Sequence, residues 1–149
     1  MDESTDEQPV HLASGLLGWI LPGLGQIRNG EGRRGRLVML GVLGLFLTGV
    51  LVGGVDCVDR REDGLWFLAQ AGAGPVAFLT DAANTMLLKS GKVGEMLPMT
   101  LPNGAMSQVN SFRSVGVVND MGTLFTSMAG LINVAAVLEA LRGPRREGA

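Results

Sequence analysis

Leu37–Val55 reads LVMLGVLGLFLTGVLVGGV, and this stretch decides the class of protein to which the chain belongs. It contains no charged residue, its one hydroxyl is that of Thr48, and Arg36 and Asp56 bracket it. A helix needs ~20 apolar residues to cross the ~30 Å hydrocarbon core of a bilayer. A soluble helix of this length normally carries a polar stripe that repeats about every 3.6 residues. Because this stretch has no such stripe, we predict a membrane-spanning helix rather than the core helix of a soluble protein.

The composition of the whole chain also favours a membrane protein. The mean hydropathy is +0.30 and only 17% of the residues are charged, whereas soluble domains carry roughly 25%. The chain has 23 glycines among its 149 residues, and small residues let apolar helices approach closely. The formal net charge of -2 gives no sign of nucleic-acid binding. We therefore expect the lipid bilayer as a partner and no nucleic acid.

Four apolar segments are candidates for the membrane, at about residues 11–27, 37–55, 64–80 and 121–141, and the only charged residue in any of them is Glu139 near the end of the last. The last resembles the first strong span in length and polarity, and arginines follow it. Residues 11–27 are interrupted by a proline and two glycines, and residues 64–80 carry Gln70 and the helix-weakening sequence GAGP. The third of these segments, residues 64–80, could cross the membrane or dip in and return. We predict an all-α fold, a polytopic transmembrane protein with three or four membrane segments.

The remaining residues are expected to lie outside the bilayer. Residues 1–10 form an acidic disordered tail without the basic start of a secretory signal, and residues 142–149 form a basic tail. Residues 11–141 form one membrane domain. Its polar loop, residues 81–120, is predicted to begin with a short amphipathic helix over Asp81–Ser90, capped by Thr80 or Asp81. The turn-rich stretch after it could hold two short strands.

The sequence LPGLGQIRNG, Leu21–Gly30, predicts a tight corner between two membrane helices. Proline lacks an N–H and glycine tolerates left-handed backbone, so a helix ends readily here. The corner residues are Pro22, Gly23 and Gly25. Basic residues in short loops favour the cytoplasm, and the arginines that place this connection inside are Arg28, Arg33, Arg34 and Arg36. The other basic residues do not show whether residues 64–80 cross the membrane. Either topology places seven basic residues inside and five outside.

Small residues inside the two strongest spans predict how the helices pack. Gly49 and Gly53 form a GxxxG motif, and Gly122, Thr126 and Gly130 repeat every four residues along the last span. These grooves are expected to contact each other or a second copy. Asn133 lies on nearly the same face, and its amide is expected to hydrogen-bond across a helix interface rather than to form a transport site.

The sequence contains few residues that could form a catalytic or metal-binding site. The chain has one histidine, His11, and one cysteine, Cys57, which excludes an internal disulfide and a CxxC site. Cys57 is either a surface thiol or a small apolar filler. Gly23 and Gly25 lack the Lys-Ser/Thr of a phosphate loop. We predict no catalytic, cofactor-binding or metal-binding residues, and no enzyme.

The segments LPGLGQ, NG and RRGRLVMLGVLGLF resemble the front end of TM2-like small bacterial membrane proteins, although Ile27 and Arg28 stand where an aromatic residue is common. The segment GTLFTSMAGLINVAAVLEAL resembles the closing helix of an uncharacterised bacterial family with the same front end. This resemblance implies a multi-pass protein of the inner membrane and no known activity. We expect a structural, interaction or accessory component, as a homo-oligomer or with a membrane-protein partner. A small oligomeric channel or transporter is the alternative, and a membrane enzyme comes third.

Overall fold

A computed structural model describes residues 10–114 and 116–144 of the chain. The chain is mostly helical, at 66%. Most of the predicted acidic tail and of the basic tail lies outside the described residues. The helices are α1 (Leu12–Ile20), α2 (Leu24–Arg28), α3 (Gly32–Gly53), α4 (Gly64–Gln70), α5 (Pro75–Ala83) and α6 (Val117–Leu141).

The long helices α3 and α6 form an antiparallel pair on which the rest of the fold is assembled. A Cβ built on Gly53 would lie 2.7 Å from the Cα of Gly122, so the two backbones touch there. At the other end of the pair, the guanidinium of Arg34 contacts the carboxylate of Glu139. We call this second end the arginine end, because Arg28, Arg33, Arg36 and Arg142 also lie there.

The helices α1 and α2 form a hairpin that enters from the arginine end and returns to it. The backbone N–H of His11, before α1, donates to Leu141 O at 2.8 Å. The side-chain amide of Asn29, after α2, donates to Ala140 O at 2.9 Å. Both ends of this segment therefore lie at the last turn of α6, and residues 11–27 do not run across the bundle as one helix.

A second hairpin enters from the opposite end. It consists of α4, the 3-10 turn Ala71–Ala73, a break at Gly74, and α5. Just before α4, the backbone N–H of Arg60 donates to the Asp81 carboxylate near the end of α5, at 2.9 Å. Residues 64–80 therefore reverse direction within the bundle instead of forming one continuous helix.

The sequence predicts a helix over Asp81–Ser90 with its cap at Thr80 or Asp81, and the predicted starting position is wrong. The helix begins at Pro75, because Gly74 has φ +87° and ends the preceding segment. Proline is favoured at the first helical position, since its missing N–H would be unpaired there in any case. The chain stays helical through the π-helix Asn84–Lys89.

The chain is mostly helical as predicted, and the two short strands that the sequence allowed in the polar loop are present as a small antiparallel sheet. Strands β1 (Met96–Thr100) and β2 (Met106–Asn110) pair with Met96 opposite Asn110 and Thr100 opposite Met106. This β-hairpin lies within the predicted polar loop, and we call the end of the bundle that carries it the β end. Two helices of the described chain, α3 and α6, are long and apolar enough to cross a membrane, and the total of three or four membrane segments stays a prediction.

We expect Gly130→Ala to destabilise the fold and Gly44→Ala to leave it intact. A Cβ on Gly130 would lie 2.0 Å from Ala69 O, a backbone atom that cannot move away alone, whereas a Cβ on Gly44 meets nothing within 4 Å. Overpacking of this kind costs ~1–3 kcal/mol, whereas alanine in an open helix position gains up to ~1 kcal/mol over glycine. Thermal unfolding in detergent, followed by circular dichroism, compares the two variants. Equal melting temperatures would contradict the packing described here.

Candidate functional site

The tips of the two helical hairpins meet near the middle of α6, and two side chains, Asn133 and Trp19, connect them. The amide of Asn133 donates to Gly18 O of the first hairpin at 3.2 Å and to Gly72 O of the second at 2.9 Å. Trp19 Nε1 donates to Ala71 O at 3.1 Å, directly from tip to tip. Asn133 is fully buried. We call this arrangement the tip clasp.

The small residues predicted to pack helices lie in two different interfaces. Gly49, Gly53, Gly122 and Thr126 meet between α3 and α6 within the same chain; a Cβ on Gly49 would lie 2.8 Å from Thr126 Cγ2. Gly130, in contrast, faces α4 at Ala69. In the stripe of small residues on α6, Gly122 and Thr126 therefore pack against α3, whereas Gly130 packs against the second hairpin.

The corner residues Pro22, Gly23 and Gly25 are buried inside the bundle at the turn of the first hairpin. Gly23 has φ +84°, and a Cβ there would lie 2.0 Å from Gly35 O on α3. Position 23 therefore requires glycine for its backbone angle and for the close approach. The turn reverses the chain before α2, so it is the tip of a hairpin rather than a corner between two full spans.

The four topology arginines all lie at the arginine end. Arg28, Arg33 and Arg36 are exposed. Arg34 differs, because it bridges Glu31 on its own side, at 3.2 Å, and Glu139 on α6. Arg34 thus also holds the ends of α3 and α6 together.

A polar site that the sequence did not reveal lies at the β end. We call it the acid–base cluster, and its members are Asp56, Asp59, Glu62, Lys89 and Arg113. Lys89 Nζ lies 2.5 Å from Asp59 Oδ2 and 2.9 Å from Glu62 Oε1. Arg113 contacts the other oxygen of Glu62, and its Nε lies 3.9 Å from Asp56 Oδ2. The acidic run from Asp56 to Asp63 is visible in the sequence, but its partners come from 27 to 51 residues beyond Glu62, so sequence spacing does not pair them.

The π-helix explains how two residues of one segment reach the same carboxylate. Asn84 Nδ2 donates to Asp59 Oδ2 at 3.1 Å, and Lys89 Nζ contacts the same oxygen. In an α-helix, residues five apart point about 140° away from each other. A π-helix bonds residues five apart and stacks them on one face. The wide winding of Asn84–Lys89 thus assembles this side of the cluster.

Burial raises the pKa values of the carboxyl groups in the acid–base cluster, whereas hydrogen bonds and nearby cations lower them. Burial alone would raise the pKa of Asp59, but the Lys89 ammonium and the backbone N–H groups of Arg61 and Glu62 outweigh it and hold that pKa below its ordinary value. The pKa of Glu62 is lowered against burial by the same lysine and by Arg113. Burial raises the pKa of Asp56, because Arg113 and the surrounding N–H donors offset it only in part.

These side chains line a cavity of about 150 Å³ between the loop after α3, the π-helix and the base of the β-hairpin. Its charged wall is formed by the acid–base cluster. Its apolar wall is formed by Leu88, Met96 and Val109. No group of three or more His, Cys, Asp or Glu side chains within residues 10–114 and 116–144 is arranged to hold a metal ion.

Cys57 is fully buried beneath this site, which decides between the surface thiol and the apolar filler in favour of the filler. Its burial, together with the neighbouring Asp56, raises the pKa of the thiol to about 12. The reactive thiolate is therefore absent at neutral pH.

The fold and the site together define a small, mostly helical protein with two helices of membrane-spanning length, two half-length helical hairpins and an ionic cavity at one end. The chain belongs to DUF6677, a family of unknown function whose model matches residues 13–148. The expectation of an uncharacterised family is thus confirmed. No curated protein and no solved structure gave a significant match to the chain.

We expect the stability lost in Lys89→Met to depend on pH. The lowered carboxyl pKa values of Asp59 and Glu62 add stability above their unfolded values of ~4, and this stability is lost as the pH falls through the folded values. At pH 7, loss of the charged hydrogen bonds should cost ~2 kcal/mol, or about 4–8 °C in melting temperature. The difference from the unsubstituted protein should be constant above about pH 5 and should shrink as the pH falls towards 3.

Lys92→Met is the matched control, because Lys92 is exposed and lies outside the cluster. Its melting temperature should follow that of the unsubstituted protein at every pH. A deficit for Lys89→Met that stays constant down to pH 3 would mean that its ion pairs do not stabilise the fold.

Proposed function

We propose that this chain is an integral protein of the bacterial inner membrane that crosses the bilayer twice, through α3 and α6. The exposure of these helices carries the proposal. Only 22% of the most apolar window of α3 and 39% of that of α6 is buried inside the molecule. A core helix of equal hydropathy in a soluble protein is mostly buried, since burial is what stabilises its apolar side chains. Lipid is the solvent that leaves leucines such as Leu40, Leu51 and Leu131 exposed without cost.

The two hairpins enter this membrane from opposite sides and return. Irregular backbone at membrane depth is tolerated only where protein surrounds it. The tip clasp meets that condition, because the carbonyls at both tips receive donors from Asn133 and Trp19. We therefore assign residues 11–27 and 64–80 as re-entrant segments, the first of them with the TM2-like corner at its tip.

The charges at the two ends give the orientation. The arginine end carries Arg28, Arg33, Arg36 and Arg142 next to the spans, so it belongs in the cytoplasm. The β end, with its seven acidic residues from Asp56 to Asp120 against five basic ones, then faces the periplasm.

We assign this protein a structural or interaction role and no catalytic activity. α3 offers a second small-residue face for a partner, since Gly41 and Gly44 point away from α6 and meet nothing within 4 Å. A backbone that close to the surface suits another membrane helix, from a second copy or from a different protein.

A small channel or transporter is the second candidate, and unpaired buried amides favour it. Among the described residues, Gln26 Oε1, Gln70 Oε1 and Asn133 Oδ1 are buried without a hydrogen-bond partner. Unpaired polar atoms at membrane depth are typical of solute paths. The contact between Gly130 and Ala69 counts against a continuous path, because it leaves no room between α4 and α6.

Thiol labelling in intact cells tests the topology, and the buried Cys57 makes the unsubstituted chain its unlabelled control. Single cysteines at the exposed positions Arg61→Cys and Ala105→Cys report the two sides of the second hairpin, and Arg33→Cys reports the arginine end. We expect an impermeant maleimide to label positions 61 and 105 in intact cells and position 33 only after permeabilisation. Labelling of 61 and 105 from opposite sides would show that residues 64–80 cross.

Purification and reconstitution separate the two candidate functions. We expect a stable partner or a defined homo-oligomer after mild solubilisation, and ion flux in proteoliposomes no higher than in protein-free vesicles. Gly44→Trp should disrupt that assembly by filling the open face, whereas Thr48→Val, one turn away, should preserve it. Flux that Asn133→Leu abolishes would establish the channel instead.

A further inference from the structure

We propose that the cavity at the β end binds a small neutral α-amino acid in its zwitterionic form, of the size of alanine. This inference does not depend on the membrane topology. It follows from the size of the cavity, from its apolar wall and from two features of its charged wall. These are the incompletely compensated charge of Asp56 and the pair of cations formed by Lys89 and Arg113.

The size restricts the ligand. The cavity measures about 150 Å³, and a cavity of ~150 Å³ accommodates a molecule such as benzene, with about six heavy atoms. Alanine has that size. Leu88, Met96 and Val109 line one side and suit a short apolar side chain.

Asp56 provides the position for the ligand ammonium. Its side chain is only 3% exposed, and its nearest cation, Arg113 Nε, lies 3.9 Å away, at the limit of an ion pair. Asn119 donates to Asp56 Oδ2 at 2.9 Å but brings no charge. Asp59, in contrast, is saturated, because Lys89, Asn84 and two backbone N–H groups already occupy its oxygens. A buried carboxylate whose charge is compensated so incompletely favours an added cation.

Lys89 and Arg113 provide the position for the ligand carboxylate. They hold the two oxygens of Glu62, one cation to each oxygen. Glu62 is 41% exposed, so its side chain can turn into solvent and leave this two-cation arrangement to a carboxylate of the ligand. Glu62 therefore competes with the ligand, and arginine and lysine together select a carboxylate.

Equilibrium dialysis of the full-length, detergent-solubilised protein against radiolabelled L-alanine tests the site. We expect saturable binding of one alanine per chain. Ethylamine and propionate, which carry only the ammonium or only the carboxylate, should compete at least tenfold more weakly. Asp56→Asn and Arg113→Gln should each weaken alanine binding about tenfold or more, since each removes a charged hydrogen bond to the ligand.

Two variants keep the test independent of folding. Glu62→Gln should bind alanine more tightly, because it removes the competing charge, and an unfolded protein cannot gain affinity. Arg60→Gln is the matched control: Arg60 is 61% exposed and contacts Asp81 outside the cavity, so its affinity should be unchanged. Absence of saturable binding, unaltered affinity in Asp56→Asn, or competition by propionate as strong as that by alanine would overturn the proposal.

Discussion

A peptide carbonyl that cannot reach water must receive a hydrogen bond from the protein, and this constraint organises the whole bundle. Each helix end leaves carbonyls unpaired, and both helical hairpins have such ends well inside the molecule. Asn133 and Trp19 supply donors to the tips. Gln26 and Asn29 do the same for Ala136 O and Ala140 O on α6, and Gln70 for Cys57 O. Without Asn133, Gly18 O and Gly72 O at the two tips would lose the donors described here, at a cost of ~1–3 kcal/mol for each unpaired group.

The small residues make these hydrogen bonds geometrically reachable. A short side chain such as asparagine bridges two hairpins only if their backbones approach α6 closely, and a Cβ on Gly72 would lie 2.6 Å from Gly130 O. Close backbones also leave little apolar surface to pack, so the buried core is narrow and contains few large side chains besides Phe46 and Phe67. The glycines bring the backbones close together, and this closeness lets the buried amide side chains reach the carbonyl groups.

The two long apolar helices, α3 and α6, could be predicted from the sequence because absence of charge and helical length are local properties. The corner at Pro22 and Gly23 could be located for the same reason. The depth of that corner could not, since Gly23 is fixed by a contact with Gly35 O that no local pattern records. The acid–base cluster lay beyond sequence reasoning on the same ground: Glu62 and Arg113 are 51 residues apart, and the π-winding that aims Asn84 and Lys89 at Asp59 has no signal in the composition of that segment. Local chemistry therefore predicted the elements, and tertiary contacts decided how far each one runs.

The two ends of the bundle both carry charged residues, but these residues are mostly exposed at the arginine end, whereas some of them are buried at the β end. At the arginine end, Arg34 pairs with Glu139 while the neighbouring Arg33 and Arg36 stay exposed, so most of the charge there faces away from the protein. At the β end, charges turn inward: Asp56 and Asp59 are buried and Lys89 is mostly covered. Buried ion pairs seldom stabilise more than apolar residues of the same volume would. The presence of these buried charges is explained if they have something to bind, because a cavity filled by leucine would hold the β-hairpin equally well and recognise nothing polar.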